Sequence, residues 1–442
     1  MKEVTVGDQK VLLVRTHGQY SAVGSQCSHY NAPLVKGALV GDRVRCPFHG
    51  ACFNVRTGDI EEYPGLDCLP SYKVKVEDGK VYVSISTKVR DSKLKTSNSG
   101  VKYPLKNYTL NINFVISGPA SLVCAETLRQ NCYQGRIIMV TKDTLPPFDK
   151  PKLSKAMNLD SSSILLRSSE FYQQYGIEVW TQREVVSVNP AEKAVKLNDG
   201  ILQHYDQLLI STGCRSDSSS CCSNLSETKM LEEQNVKFYM NDRVTEIKGE
   251  NGKVKEVVLN SGTVLEADVV ITGIGVIPNS DFLAGSEVEM DSRKAVIVDK
   301  FMRTNIGDIF SAGDVTSFPL AIRGDQRVNI GHWQMSQAQG RVAALNMLNK
   351  PTKIESIPFF WTVLLGKSIR YTGYGEGYTE IIFKGKVEER KFLAFYIKDE
   401  VVVAAASLMF DPAVARLAEL MASGHVLKKA QAQADDLTWL QM

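Results

Sequence analysis

Two short segments near the start of the chain each place a cysteine and a histidine close together. Cys27 and His29 are separated by one residue, and Cys46 and His49 by two residues. Two thiolates can bind one iron of a [2Fe–2S] cluster while two imidazoles bind the other, which raises the reduction potential above that of an all-cysteine cluster. A Cys2His2 zinc site is the alternative. Zinc fingers usually group their histidines at the end of a helix, whereas here each histidine is paired with a cysteine.

The segments that must position these side chains are short and strand-like. Residues 1–90 alternate apolar and polar residues in short runs separated by turn signals, which predicts an all-β unit. Pro33 follows the first pair and Gly50 the second, so we expect both pairs in tight loops between strands. Residues 1–85 resemble a Rieske ferredoxin domain, and the resemblance implies that the four side chains bind a Rieske [2Fe–2S] cluster.

Composition limits the classes of function. The chain has 442 residues, of which 43% are apolar and 23% charged, with a formal net charge of +3, so we expect two to four soluble domains. We see no basic patch interleaved with aromatic residues and expect no nucleic-acid partner. The longest apolar run, residues 401–410, is too short for a transmembrane segment. Nine scattered cysteines and no readable targeting segment indicate an intracellular, reducing compartment.

A strand–helix–strand pattern follows a polar segment that we interpret as a linker at 91–107. The strand ends near Gly118, a helix continues to Arg129, and the next strand spans 135–140. A dinucleotide-binding unit carries G-x-G-x-x-G at this turn, because glycines let the backbone approach a pyrophosphate. Only Gly118 remains here, and the turn is about two residues short. FAD binding therefore competes with the alternative that this βαβ unit has lost its cofactor.

Together these segments resemble the Rieske-bearing members of the apoptosis-inducing-factor family, which are FAD-dependent flavoproteins related to ferredoxin reductases. The resemblance covers nearly the whole chain and implies an all-β domain, an α/β nucleotide-binding domain and an α+β domain. It also implies an association with mitochondria and apoptosis, so the compartment is mitochondrial or cytoplasmic. The implied domains are a Rieske domain (1–90), a linker (91–107), a first FAD segment (108–213), a remnant of an NAD-binding domain (214–276), a second FAD segment (277–355) and a C-terminal reductase domain (356–442).

The resemblance further implies a set of flavin-binding residues. In each case a structural role is the alternative: a solvated basic loop at 146–155, an Asp-containing turn after the strand that precedes Asp314, a helix-start histidine at position 332, and plain strand core around Trp361. The N-terminal dipole of the helix that begins at His332 would favour the reduced flavin ring. The implied residues are Gly118, Lys150, Lys155, Thr212, Gly213, Gly313, Asp314, His332, Trp333 and Trp361.

The expected NAD-binding insert is reduced to a fragment. A polar, glycine-free segment from Cys214 to Asn224 stands where the family has a complete nucleotide-binding motif, and on the order of seventy residues are missing by the size of a βαβαβ half. After this junction the sequence predicts the end of a helix at 229–234 and strands at 236–240, 254–259 and 269–275. At the C-terminus it predicts aromatic strands, a helix over 411–423 and a frayed tail at 428–442.

Two functions of different classes follow from these features. The first is an oxidoreductase in which electrons from NAD(P)H reach a [2Fe–2S] cluster through FAD and then an unknown acceptor. The second is a variant that keeps the cluster as an electron carrier or binding module but does not oxidise NAD(P)H. A Rieske oxygenase is disfavoured, because the six histidines provide no convincing iron site besides the cluster. No acid–base pair or nucleophile is required, and the resemblance leaves a homodimer open.

Overall fold

The computed structural model describes residues 1–85, 112–116, 118–153, 156, 158–216, 225–273 and 275–441. The linker predicted at 91–107, Lys155 and most of the Cys214–Asn224 junction lie outside these ranges. The chain forms two compact units: a large one, Met1–Gly213 with Ser280–Met442, and a small one, Cys214–Asn279. Within the described ranges, no helix is long and apolar enough to cross a membrane.

The N-terminal part of the large unit is all β, as the alternating sequence pattern predicts. One antiparallel sheet has the order β1-β2-β3-β8-β9, and a second has the order β4-β5-β6-β7. Leu12, Val23 and Phe53 are completely buried in the core that these strands share. The strands are β1 (Lys2–Val6), β2 (Gln9–Thr16), β3 (Gln19–Gly24), β4 (Ala38–Val40), β5 (Arg43–Arg45), β6 (Cys52–Asn54), β7 (Ile60–Glu62), β8 (Ser71–Glu77) and β9 (Lys80–Ser84).

The centre of the large unit is a parallel sheet of five strands in the order β12-β11-β10-β16-β23. Strand β11 is apolar and buried from Ile137 to Val140, as expected for a parallel strand covered on both faces. The elements before the small unit are β10 (Ile112–Ile116), α1 (Pro119–Gln130), β11 (Arg136–Val140), α2 (Lys150–Leu153), α3 (Ser161–Ile164), α4 (Ser169–Gln174), β12 (Ile177–Trp180), β13 (Val185–Asn189), β14 (Ala194–Leu197), β15 (Leu202–His204) and β16 (Gln207–Ile210).

The small unit departs from the sequence prediction. The helix end and the strand predicted at 254–259 are present, but the strands predicted at 236–240 and 269–275 are wrong, because the described residues there are irregular. An extended segment forms a strand only where a neighbour satisfies its backbone groups, and no described strand pairs with these two segments. The elements are β17 (Cys214–Ser216), α5 (Leu225–Glu232), β18 (Val244–Glu250), β19 (Lys253–Leu259), β20 (Val264–Glu266) and β21 (Val276–Pro278).

The chain then returns to the parallel sheet. Helix α6 packs closely on α1, because a Cβ on Gly340 would lie 2.1 Å from the carbonyl oxygen of Ala120. Glycine is therefore required at this crossing. The elements of this segment are β22 (Val296–Ile297), β23 (Ile309–Ser311), β24 (Thr316–Leu320), β25 (Gln326–Val328) and α6 (Trp333–Met347).

The C-terminal segment is α+β, as predicted. Its antiparallel sheet has the order β26-β27-β30-β29-β28. The expectation of a frayed tail is wrong, because Ala432 and Leu440 are buried in the core of this domain, where apolar burial outweighs the cost of ordering the chain end. The elements are β26 (Phe359–Leu364), β27 (Lys367–Gly373), β28 (Glu380–Lys386), β29 (Lys391–Lys398), β30 (Val401–Leu408), α7 (Ala413–Ala422) and α8 (Lys429–Gln433).

Candidate functional site

The two predicted ligand pairs lie in loops with the same hydrogen-bond plan. In each loop the cysteine N–H donates to the carbonyl five residues later, at 2.9 Å for Cys27 and 2.8 Å for Cys46. The N–H four residues later donates back to the cysteine carbonyl. That residue has a positive φ in both loops, 54° at Asn31 and 78° at Gly50, a conformation that asparagine and glycine tolerate best. Two tight turns of equal length therefore present the two pairs.

The four side chains of these pairs converge. The Nδ1 atoms of His29 and His49 are 3.2 Å apart, and the thiols of Cys27 and Cys46 are hydrogen-bonded to each other. Burial lowers the pKa of His29 to about 4 and that of His49 to about 3, so both imidazoles are neutral near pH 7. The hydrogen bond from Cys27 lowers the pKa of Cys46 to about 7. Neutral imidazoles and a ready thiolate are the forms that bind iron.

Two aromatic side chains contact the histidines, one from β26 and one from the first cluster loop itself. The ring of Trp361, in β26, lies 5.2 Å from that of His49 and 6.4 Å from that of His29, measured between centroids. Tyr30 stacks on His29 at 4.0 Å, and its hydroxyl donates to Asp149 Oδ2 at 2.9 Å. Neither Tyr30 nor Asp149 is among the site residues predicted from the sequence. Asp149 stands in the loop interpreted as flavin-binding, and its contact with Tyr30 spans 119 residues of sequence.

Four of the predicted flavin residues follow strands at one edge of the parallel sheet. Gly118, the Thr212-Gly213 turn and Gly313 follow the carboxyl ends of β10, β16 and β23, the edge at which α/β sheets bind ligands. Gly313 has a φ of +85°, and a Cβ there would lie 3.7 Å from that of Ala120 in α1. The turn at Gly313 therefore lies close to the start of α1.

Asp314 provides a buried carboxyl group beside these turns. Its Oδ1 accepts a hydrogen bond from Ser336 Oγ at 2.9 Å. Burial raises the pKa of Asp314, while Ser336 and the nearby charge of Lys150 oppose the shift. On α6, Gln339 Oε1 accepts from the Gly313 N–H at 2.7 Å. Among the described residues the buried Gln339 Nε2 has no hydrogen-bond partner, so it can donate to a bound hydroxyl group. These groups fit a polyhydroxyl chain such as that of FAD.

The start of α6 joins the flavin edge to the cluster loops. His332 is the N-cap of α6, where its Nδ1 accepts from the Gln334 N–H at 3.3 Å, so it fills the helix-start role weighed as the alternative. Its ring also lies 4.8 Å from the ring of Trp361. Burial lowers the pKa of His332 to about 4, so it is neutral near pH 7. Trp333, the first residue of α6, is half-buried.

The expected pyrophosphate end of the flavin site is less complete than the opposite end. Pro119 is the first residue of α1 and has no N–H to donate, which removes one helix-terminal donor. Ser121 is buried, and its Oγ lies 2.6 Å from Ser211 Oγ. The residues thus fit FAD at the ribityl end and offer fewer contacts to its phosphates.

Comparisons with known proteins agree with this architecture. The Rieske [2Fe–2S] domain model matches residues 1–73, the pyridine nucleotide-disulphide oxidoreductase model matches 114–228 and 222–340, and the reductase C-terminal model matches 359–441. The chain is 24% identical to a rubredoxin-NAD(+) reductase of Pseudomonas putida over 67% of this chain and 95% of that one. The crystal structure of the covalent putidaredoxin reductase–putidaredoxin complex matches with a TM-score of 0.67 and 21% identity, covering 76% of this chain and 98% of that one.

The fold and site therefore define an electron-transfer oxidoreductase of the pyridine nucleotide-disulphide class that carries a Rieske domain, with FAD and a [2Fe–2S] cluster as its cofactors. Human apoptosis-inducing factor 3 is 40% identical over 100% of this chain and 86% of its own length, and the mouse protein is 39% identical over the same shares. The chain belongs to the apoptosis-inducing factor 3 family.

The alignment with the human protein is longer than this chain. It spans 518 positions, whereas this chain has 442 residues, so at least 76 aligned positions have no counterpart here. The oxidoreductase model is matched in two pieces that meet at 222–228, next to the polar junction in the sequence.

Proposed function

We propose that this chain carries electrons between FAD and a Rieske cluster that lie side by side in its large unit. The cluster ligands would be Cys27 and Cys46 on one iron and His29 and His49 on the other. The observation that carries the proposal is the position of Trp361, whose ring contacts both histidines of the cluster loops and His332 at the flavin edge.

The side chains at the sheet edge would each have a separate task. When bound, FAD accepts two electrons together and releases them singly, which a one-electron cluster requires. Asp314 would accept hydrogen bonds from the ribityl hydroxyls, and Gly313 would allow their close approach. Lys150 and the N-terminus of α1 at Gly118 would offer positive charge to the phosphates. The remaining predicted contacts are Lys155, Thr212, Gly213, His332, Trp333 and Trp361.

NAD(P)H is the electron donor that the family implies, and we propose it as the first candidate. The small unit favours a second candidate, in which the chain does not oxidise NAD(P)H. Its described residues contain two small antiparallel sheets and one helix, whereas a dinucleotide is bound by parallel strands with crossover helices. In that case the chain would act as a one-electron carrier or a binding module.

An anoxic visible spectrum of the purified protein, recorded before and after NADH, tests both candidates. Flavin and Rieske bands that bleach together with NADH would support the first candidate. Bands that bleach with dithionite but not with NADH would support the second. A protein without flavin, or a colourless protein that contains zinc, would contradict the proposal itself.

We propose a reducing intracellular compartment, mitochondrial or cytoplasmic. Cys52 and Cys124 are buried free thiols, as is usual where disulfides do not persist. The acceptor would be an unidentified one-electron carrier. A homodimer is a further proposal, supported by exposed apolar side chains of the small unit such as Val269, and light scattering would test it.

A further inference from the structure

One buried arginine connects the second cluster loop to the C-terminal domain. The side chain of Arg45, in β5, is completely buried. Its Nε lies 2.5 Å from Glu419 Oε1, in α7, and its Nη1 donates to the Gly50 carbonyl at 2.9 Å. A single guanidinium therefore holds a cluster loop and a helix that are separated by 374 positions in sequence.

A second arginine completes the ionic contact. Arg43 lies two residues earlier on the same face of β5, and its Nε is 3.0 Å from Glu419 Oε2. Glu62 lies 3.7 Å from Arg45 and 3.8 Å from Arg43. Arg43 also lies 3.4 Å from Glu61, so two arginines face three carboxylates at this boundary, with one arginine on each oxygen of Glu419.

Apolar and backbone contacts surround the ionic group. The ring of Phe359, in β26, packs directly on Gly50, since a Cβ there would lie 2.5 Å from the ring. Arg370 Nε donates to the Pro47 carbonyl at 3.3 Å. Ala38, in β4, belongs to the core of the C-terminal domain. The cluster loops are therefore joined to that domain by buried surface on several sides.

We infer that Arg45 and Glu419 form a buried lock, which fixes the Rieske domain on the C-terminal domain in one docking geometry. Buried ion pairs add little net stability, but any other docking geometry would bury one partner without the other, which is strongly unfavourable. Apolar burial around Phe359 supplies the affinity, and the ion pair selects the geometry. One consequence of the lock rests on the proposed function: electrons reach the cluster without movement of the Rieske domain.

Cleavage of the folded chain tests the lock without reference to electron transfer. A protease site inserted within 91–107 separates the Rieske domain covalently after folding of the cofactor-loaded full chain. We expect the two halves to co-elute in size-exclusion chromatography at micromolar concentration. Wild-type halves that separate on cleavage would overturn the inference. Halves that remain together without flavin-to-cluster electron transfer would contradict the proposed function and leave the lock intact.

The variant Glu419→Gln tests the charge of the lock and keeps the shape of the side chain. It removes the negative charge that faces the completely buried Arg45 and the partly exposed Arg43, so we expect the dissociation constant of the cleaved halves to rise on the order of a hundredfold or more. The control is Glu389→Gln, in the same domain, whose pair with Lys386 is exposed. A Glu419→Gln protein with wild-type circular dichroism and a wild-type dissociation constant would overturn the inference.

Discussion

The N-terminal sheets bury their apolar side chains, whereas the small unit leaves apolar side chains exposed to solvent. In the N-terminal sheets, the apolar residues fill a closed core, and Phe53 and Leu12 are completely buried. In the small unit, Ile271 is 91% exposed and Val269 is 73% exposed. Residues 10–14 and 269–275 are both strand-like in sequence, but within the described ranges only residues 10–14 have neighbouring strands.

This difference separates the two ends of the electron route. The cluster end keeps its paired thiols, its paired imidazoles and its aromatic contact to the flavin edge. The small unit, which stands where the family binds the nicotinamide, leaves apolar side chains exposed. We therefore expect the two ends to respond differently to substitution.

Removal of one thiolate should cause the largest change. In Cys46→Ala, one iron loses half of its protein ligands, so we expect no Rieske absorbance and no cluster iron, while flavin absorbance remains. Iron analysis and the visible spectrum measure this. The matched control is Cys132→Ala, an exposed thiol that should leave both signals unchanged. A full complement of cluster iron in Cys46→Ala would disprove the ligand assignment.

Insertion of the segment that the human relative has and this chain lacks should increase the rate at which NADH reduces the flavin. A chimera that carries the absent segment of the human relative at the 217–224 junction would regain a dinucleotide site. We expect NADH to reduce its flavin at about 1 s⁻¹ or faster, the lower range of enzyme turnover, and the unmodified chain to react far more slowly. Anoxic stopped-flow absorbance measures both rates. Equal rates in the two proteins would show that the small unit already binds NADH.

Substitution of an apolar residue that packs on a cluster loop and of one in the small unit should give very different losses of stability. Phe359→Ala removes a completely buried ring and should lower the free energy of unfolding by about 3–5 kcal/mol. Ile271→Ser, at a 91% exposed site, should change it by less than about 0.5 kcal/mol. Urea denaturation measures both. A large loss in Ile271→Ser would mean that this surface is covered in solution.

The smallest expected effect is a pH dependence of the stability that the contact between Glu419 and the two arginines contributes. Burial disfavours the charged carboxylate, but Arg45 and Arg43 outweigh it, and the pKa of Glu419 is lowered. Its contribution is thus present above the unfolded pKa of about 4.3 and is lost as the pH falls through the folded pKa. Each unit of lowering corresponds to about 1.4 kcal/mol.

The difference in melting temperature between wild type and Glu419→Gln measures this contribution. The difference in melting temperature should be largest at pH 7 and should become smaller below about pH 4. Glu62, whose pKa is raised by burial, and Cys52, which also faces Glu419, are present in both proteins, so their titration largely cancels. A difference that stays constant from pH 7 to pH 3 would contradict the sign of the shift.

Local sequence predicted much of the fold and part of the candidate site. Alternation predicted the N-terminal sheets, and the apolar run in β11 together with Gly118 predicted the βαβ unit, because backbone periodicity and turn chemistry act over a few residues. The strands predicted at 236–240 and 269–275 failed for the complementary reason. Their sequences favour extended backbone, but a strand also needs a neighbour from elsewhere in the chain.

The sequence by itself determined which chemistry is present: two cysteine–histidine pairs at loop spacing, a glycine-poor nucleotide turn and a shortened insert. Tertiary structure alone decided how these parts meet. Nothing local in sequence indicates that Tyr30 reaches Asp149, or that Arg45 reaches Glu419 across 374 positions. Such contacts depend on how whole domains pack, and packing is set by buried surface and charge pairing between segments that are remote along the chain.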